Sequence, residues 1–217
     1  MNEEHNFGVK GIEVRQKLLF QGFALFIQNG TMETSLADIL SYCGIRRGSF
    51  YYYFESKDQF VRECFETCYF EPLKKTTDTF TEKSGNSFED IFDFFCGITR
   101  ELQRWLNDRF GDRVVCLEDV YPEISFLSRK TNYMDDFAAS FSDQETVQLE
   151  WVCACLKNMQ ESGKIRSDVD CAQIAKVMCD CRDGMLMASR REHNMDSMPL
   201  YASLGTAVNT FEKLLKP

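Results

Sequence analysis

Apolar side chains recur three or four positions apart along almost the whole chain, and nowhere do they alternate long enough to make a useful strand. That period lays them along one stripe of a helix, so the pattern specifies an all-α fold of about nine helices. Ile12, Leu19, Phe23, Phe26 and Ile27 share the face of a first helix. Asn29-Gly30 closes it, because these residues accept the left-handed backbone of a helix end. Ser35, with Asp38 three residues on, caps a helix of about two turns that Gly44 ends. A third, very short helix fits 46–53. Ser56 with Gln59 opens a long one running to about Phe80, with Pro72 as a kink. Ser87 with Asp90 starts the cleanest stripe, through Ile91, Phe95, Ile98, Leu102 and Trp105. Gly111 and Pro122 break 110–141 into two shorter helices. Ser142 with Glu145, Asp170 with Gln173, and Ser197 with Pro199 mark the starts of the last three.

A chain of 217 residues buries enough surface to fold without disulfides or a structural metal. Its net charge of −9 argues against coating nucleic acid or membrane by bulk charge. The charge is uneven, however. Residues 1–57 carry six Lys and Arg against six Asp and Glu, so the remaining 160 residues hold the whole acidic excess. No stretch approaches the 18 or so apolar residues of a membrane span. Met1 to Lys10 lacks the basic start and apolar run of a signal peptide, so a cytoplasmic protein is expected. The ten cysteines are then thiols. Cys64 and Cys68 share a helix face, but only His5 and His193 exist to complete a zinc set, so neither metal nor cofactor is expected. No nucleophile–base pair points to an enzyme.

Residues 12–57 carry the chemistry. A capped two-turn helix, a Gly44 turn and a second short helix make a helix-turn-helix, whose second helix enters the major groove of DNA. Ile45 is the apolar peg between the two. Arg46 and Arg47 are suited to phosphate or to bidentate pairing with guanine. Gly48 permits close approach beside the small donor Ser49, and Tyr51, Tyr52 and Tyr53 offer phenols to phosphates and sugars. The bland alternative is that two short helices and an aromatic run simply pack a core.

Phe26, Gly30, Thr34-Ser35, Asp38-Ile39, Gly44-Ile45, Gly48-Ser49-Phe50-Tyr51, Tyr53-Phe54 and Ser56-Lys57-Asp58 follow one another without a gap. In this the stretch resembles the tetracycline-repressor (TetR) family of bacterial transcription regulators. The resemblance implies a DNA-binding domain at 1–56 and a ligand-binding and dimerisation domain at 57–217, joined by the helix that begins at Ser56. Thr34, Ser35, Tyr51, Tyr53 and Lys57 would meet phosphate, and Arg46, Arg47, Ser49 and Tyr52 would read the groove. Where the family caps the reading helix with Ser or Thr, this chain has Arg46, so that start lacks a side-chain cap.

The same resemblance implies a homodimer on a palindromic DNA operator and a small-molecule effector. The last two helices, with Gly184, Ala188, Gly205 and Ala207, would form the dimer seam near Leu204 and Val208. Phe95, Trp105, Tyr121, Phe126, Tyr133, Phe137 and Trp151, with Met178 and the polar Arg182, are candidates to line an apolar or aromatic pocket. Val115-Cys116-Leu117 is similar to a Gly-Cys-Leu stretch of some family members, so Cys116 is either a pocket thiol open to electrophiles or a small buried residue. The expected function is a ligand-released repressor. The rival readings are an enzyme with an apolar pocket, a helical protein-interaction module, or a small-molecule-binding protein without DNA activity.

Overall fold

The computed structural model describes residues 8–111, 115–128, 135–189 and 198–217. Every regular element among the described residues is helical. Helix α1 (Val9–Asn29) ends at Gly30, whose N–H donates to the Phe26 carbonyl. Helix α2 (Leu36–Cys43) starts in a closed capping box. Ser35 Oγ accepts from the Asp38 N–H at 3.2 Å, and Asp38 Oδ2 accepts from the Ser35 N–H at 2.8 Å. Gly44 ends α2 at φ 65°, in the left-handed region that costs a side chain most and glycine least. Helix α3 (Arg47–Tyr53) follows after Ile45, with Arg46 at its N-cap and no side-chain cap bond.

Helix α4 is built from three joined stretches, Lys57–Phe65, Glu66–Phe70 and Glu71–Thr81. Ser56 Oγ accepts from the Gln59 N–H, but Gln59 Oε1 turns to the Glu55 N–H at 2.6 Å instead of closing the box on Ser56. The irregularity expected at Pro72 takes the form of a π turn just before it, in which the Glu71 N–H reaches back to the Glu66 carbonyl. A proline lacks an N–H and presses on the carbonyl four residues earlier, and a wider turn relieves that crowding.

Five further helices complete the chain: α5 (Phe88–Phe110), α6 (Leu117–Ser128), α7 (Asp135–Glu161), α8 (Cys171–Ser189) and α9 (Met198–Leu215). Two expectations are corrected. Pro122 does not break α6 but lies inside it, at the cost of the bond to the Glu118 carbonyl. Helix α7 opens at Asp135 rather than Ser142, and Thr146 Oγ1 donates back to the Ser142 carbonyl at 2.8 Å inside the helix. The stretch 110–141 therefore holds one short helix and the start of a long one. Ser197, expected to cap α9, lies outside the described residues, as do His5 and His193.

The buried side chains form one continuous core. Helix α4 is its axis, packing on α1, α5 and α7. The crossing of α1 and α4 is close because Gly22 faces Phe60 and Cys64, where a Cβ would overlap the Phe60 ring. Around it Phe23, Phe26, Phe60 and Phe65 interlock, Phe26 meeting Phe60 edge-on at 5.9 Å. The Arg15–Glu63 ion pair fixes the same two helices nearer the surface. Helix α5 packs on α4 and α9, and α8 packs on α7 and α9.

Candidate nucleic-acid interface and effector cavity

The short helix α3 is held from below and bare above. Phe50 is fully buried and meets Phe54 and Phe60 at ring distances of 5.5 and 5.4 Å. Ile39 of α2 is buried with them. Three aromatic side chains therefore anchor a seven-residue helix that has no chance of standing alone in water. The opposite face presents Arg46, Arg47, Gly48 and Ser49 to solvent, with Tyr51 and Tyr52 at 49% and 56% exposure. Tyr53 is half-buried and packs edge-on against Tyr52. The aromatic run thus divides: Phe50 and Phe54 are core, and Tyr51 and Tyr52 are surface.

The flanking candidates are arranged differently. Ser35 is exposed at the start of α2, beside the open face. Thr34 is buried, and its hydroxyl donates to the Gly30 carbonyl at 2.7 Å. As the chain stands, Thr34 shapes the turn rather than the surface. Lys57, in the first turn of α4, donates from Nζ to the Thr31 carbonyl at 3.1 Å. Burial lowers its pKa, against the pull of Asp58, Glu33 and Asp38.

A cavity lies between α4, α5, α6, α7 and α8. Tyr69, Leu73, Phe95 and Leu102 form one side. Leu117, Tyr121 and Leu186 form another, and Gln144, Glu145, Gln148 and Arg182 give it a polar wall. Its volume is about 40 Å³, room for about three waters. Arg182 is buried. Its Nε and Nη2 donate to Asp183 Oδ1 at 2.8 and 2.7 Å, its Nη1 donates to Gln148 Oε1, and its guanidinium lies 5.2 Å from the Phe95 ring centre. Burial works against that charge, but Asp183 holds it and its pKa stays above the ordinary arginine value. Burial also raises the Tyr121 and Tyr69 phenols, so both remain protonated.

Of the residues singled out for a pocket, Phe95, Tyr121 and Arg182 come together on these walls. Trp105 instead packs against Phe20 and Phe110, joining α5 to α1, with the Arg109 guanidinium 5.8 Å from its ring. Trp151 stacks flat on Phe94 at 4.1 Å and donates from Nε1 to the Lys83 carbonyl at 2.8 Å, bracing the turn between α4 and α5 against α7. Phe126 is 43% exposed, and Met178 is buried in the core. Cys116 is half-buried just ahead of α6, where its carbonyl accepts from the Asp119 and Val120 N–H groups. Tyr133 and the Phe137 side chain lie outside the described residues. Tyr69, Gln144, Glu145 and Gln148 were not anticipated. Gln148, a polar residue on the inner face of an apolar helix, was the available signal.

One contact joins the two regions. Glu123 of α6 accepts from the Thr31 N–H at 2.8 Å, in the same turn whose carbonyl receives Lys57. Helix α6 thus touches the cavity through Leu117 and Tyr121 and the turn between α1 and α2 through Glu123.

A buried-footed helix with a basic, phenolic outer face, set after a glycine turn and tied to a cavity-bearing helical body, defines a helix-turn-helix DNA-binding transcription regulator. Residues 18–64 match the model of the bacterial regulatory proteins of the tetR family, so the helix-turn-helix segment is of the TetR type. The HTH-type transcriptional repressor DhaR of Mycobacterium sp. (strain GP1) is 24% identical to it over 208 residues, 93% of this chain and 92% of DhaR. Among solved structures, the ketosteroid transcriptional regulator KstR2 of Mycobacterium tuberculosis shares the fold at a TM-score of 0.69 and 17% identity, covering 94% of this chain and 95% of that one. A TetR transcriptional regulator from Chloroflexus aurantiacus shares it at 0.68 and 21%, covering 95% and 98%. Among the described residues no helix is long and apolar enough to cross a membrane.

Proposed function

We propose that the chain is a homodimeric cytoplasmic repressor that binds a palindromic operator and releases it when a small molecule enters the cavity. The observation that carries this reading is the outer face of α3, with Arg46, Arg47, Ser49, Tyr51 and Tyr52 exposed on a helix whose Phe50 is fully buried. In this reading residues 1–56 form the DNA-binding domain and 57–217 the sensing and dimerisation domain. Ser35 and Lys57 supply phosphate contacts, Lys57 exchanging the Thr31 carbonyl for DNA. Repression is supported by the name of DhaR, a transcriptional repressor.

Release follows from the cavity's size. Space for about three waters admits no effector without movement of its walls, and α4 and α6 are two of those walls. Both also hold the Thr31 turn, through Lys57 and Glu123. A ligand that widens the cavity therefore favours a placement of the reading heads that no longer matches the operator, which is a shift of population between two states.

The dimer seam is better placed on the outer face of α8 than at Leu204 and Val208. Those two are buried within the single chain, facing its own core. Val177, Gly184 and Ala188 fall on one exposed stripe of α8, and a Cβ on Gly184 would meet nothing in this chain. A glycine inside an exposed helix costs about 1 kcal/mol against alanine, a cost that close approach of a second helix explains. Val177→Asp, at 47% exposure, should leave the fold intact and yield monomers on analytical sizing. Leu204→Asp should unfold the chain instead. A Val177→Asp variant that stays dimeric places the seam elsewhere.

The operator reading is tested by selection from a random-sequence duplex library on the purified chain. The expected product is a palindrome with half-sites one helical turn, or a small multiple of it, apart. No enriched sequence, or a single non-palindromic half-site, defeats it.

A further inference from the structure

Resting on the reading of the cavity as the effector site, we propose that the effector is a compact, single-ring apolar compound carrying a hydrogen-bond-donating head group, a hydroxyl or an ammonium, and that the site rejects carboxylates.

Three observations carry this. The first is an orphan: Gln144 Oε1, on the cavity wall, is buried and has no hydrogen-bond partner. A buried carbonyl oxygen left unsatisfied costs free energy that a donor from a ligand recovers. The second is that the wall's cation is already paired with a carboxylate. The Nε and Nη2 groups of Arg182 are held by Asp183 and its Nη1 by Gln148, so a ligand anion would have to displace a carboxylate that is part of the fold. The third is the surrounding charge. The groups that bear on the wall are Arg182 and Lys176 on one side and Asp183, Glu145 and Asp180 on the other. Lys176 is itself paired to Asp180 at 2.7 Å. Burial, reinforced by Asp183, raises the Glu145 carboxyl. Ionised, it makes the wall net negative; protonated, it leaves the wall neutral. In neither state is the wall positive, so it offers no net positive charge to offset the desolvation of a ligand carboxylate.

The remaining walls set the body of the ligand. Leu73, Ile98, Leu102 and Leu186 are aliphatic, and Phe95 and Tyr121 add ring faces and edges for one aromatic group. Even one ring exceeds the unliganded volume, so a single ring is the aromatic body that asks least movement of the walls.

The test uses three probes with one body, 3-phenylpropan-1-ol, 3-phenylpropylamine and 3-phenylpropanoate, titrated into the full chain by calorimetry and read again as melting temperature. The alcohol and the amine should bind and raise the melting temperature, with the acid at least about a hundredfold weaker. In Glu145→Lys the acid should gain and the amine lose. In Gln144→Leu the unliganded chain should melt no lower than the parent, because the orphan is gone, while the alcohol binds more weakly. An acid that binds as well as the alcohol overturns the proposal. So does a preference unchanged in Glu145→Lys, or a panel in which nothing binds. Binding of the selected operator by the same preparation separates the two failures. A silent panel with operator binding intact overturns the ligand class alone, and loss of operator binding overturns the regulator reading on which it rests.

Discussion

Replacing Arg46 and Arg47 together with alanine should sharply weaken sequence-specific binding while leaving the melting temperature within about a degree or two of the parent, since both side chains are exposed and surface substitutions are usually worth ±0.5 kcal/mol or less. Each arginine that pairs with a base edge contributes about 1–3 kcal/mol of affinity, so the double variant loses roughly thirtyfold to ten-thousandfold. The salt dependence separates the roles. A guanidinium on phosphate lowers the slope of log affinity against log salt by about one when removed, and it weakens all sequences alike. One on a base edge relaxes the preference at a single position instead. Fluorescence anisotropy on the selected palindrome and on scrambled duplex, at several salt concentrations, reads both. Affinity unchanged in the double variant would show that α3 does not read DNA and that its exposed face serves another purpose.

Phe50→Ala should have the largest effect on stability in the N-terminal region. Phe50 has no exposed surface and meets Tyr51, Phe54 and Phe60 in ring contacts of 5.4–5.5 Å. Truncating a fully buried phenylalanine typically costs about 3–5 kcal/mol, the transfer term plus the cavity left behind. Helix α3 has only seven residues and no side-chain cap, so it cannot persist once that anchor is lost. Thermal and chemical unfolding should fall together, and operator binding should fail although every exposed reader is still present. Phe50→Leu keeps most of the volume and should restore much of both. A Phe50→Ala variant that melts like the parent would mean that α2 and α4 hold α3 without the aromatic wedge.

These two variants mark a boundary between what is local in this protein and what is not. The caps at Ser35 and Ser56, the turn at Gly44 and the missing cap at Arg46 each depend on a few consecutive residues. Their chemistry is the same in the chain as in the fold. The helix count was legible for the same reason, since a 3.6-residue period survives any tertiary arrangement. Where local signals failed, a neighbour overrode them. Pro122 stays within α6, whose Tyr121, Ile124 and Leu127 are buried against the rest of the core. Gln59 answers Glu55 instead of Ser56.

The cavity belongs to the other side of that boundary. A ring on an apolar helix face carries the same periodicity whether it meets a neighbouring helix or an empty space. Trp105 and Trp151 therefore read like Phe95 and Tyr121, yet they lock α5 to α1 and α7 to the turn between α4 and α5. Gln148 of α7 meets Arg182 of α8, and Gln144 lines the same cavity, only because those helices cross there. Likewise Leu204 and Val208 belong to the stripe of α9, but whether a stripe faces its own core or a partner is settled by what the other helices leave uncovered. The order of residues thus determined most of the helices, the ends at Ser35, Gly44 and Ser56 and the helix-turn-helix segment, because those rest on short-range geometry. The cavity wall, the α6 link from Glu123 to Thr31 and the exposed face of α8 were decided by packing, because they join residues separated by 34 or more positions along the chain or depend on surfaces left over when every other element is in place.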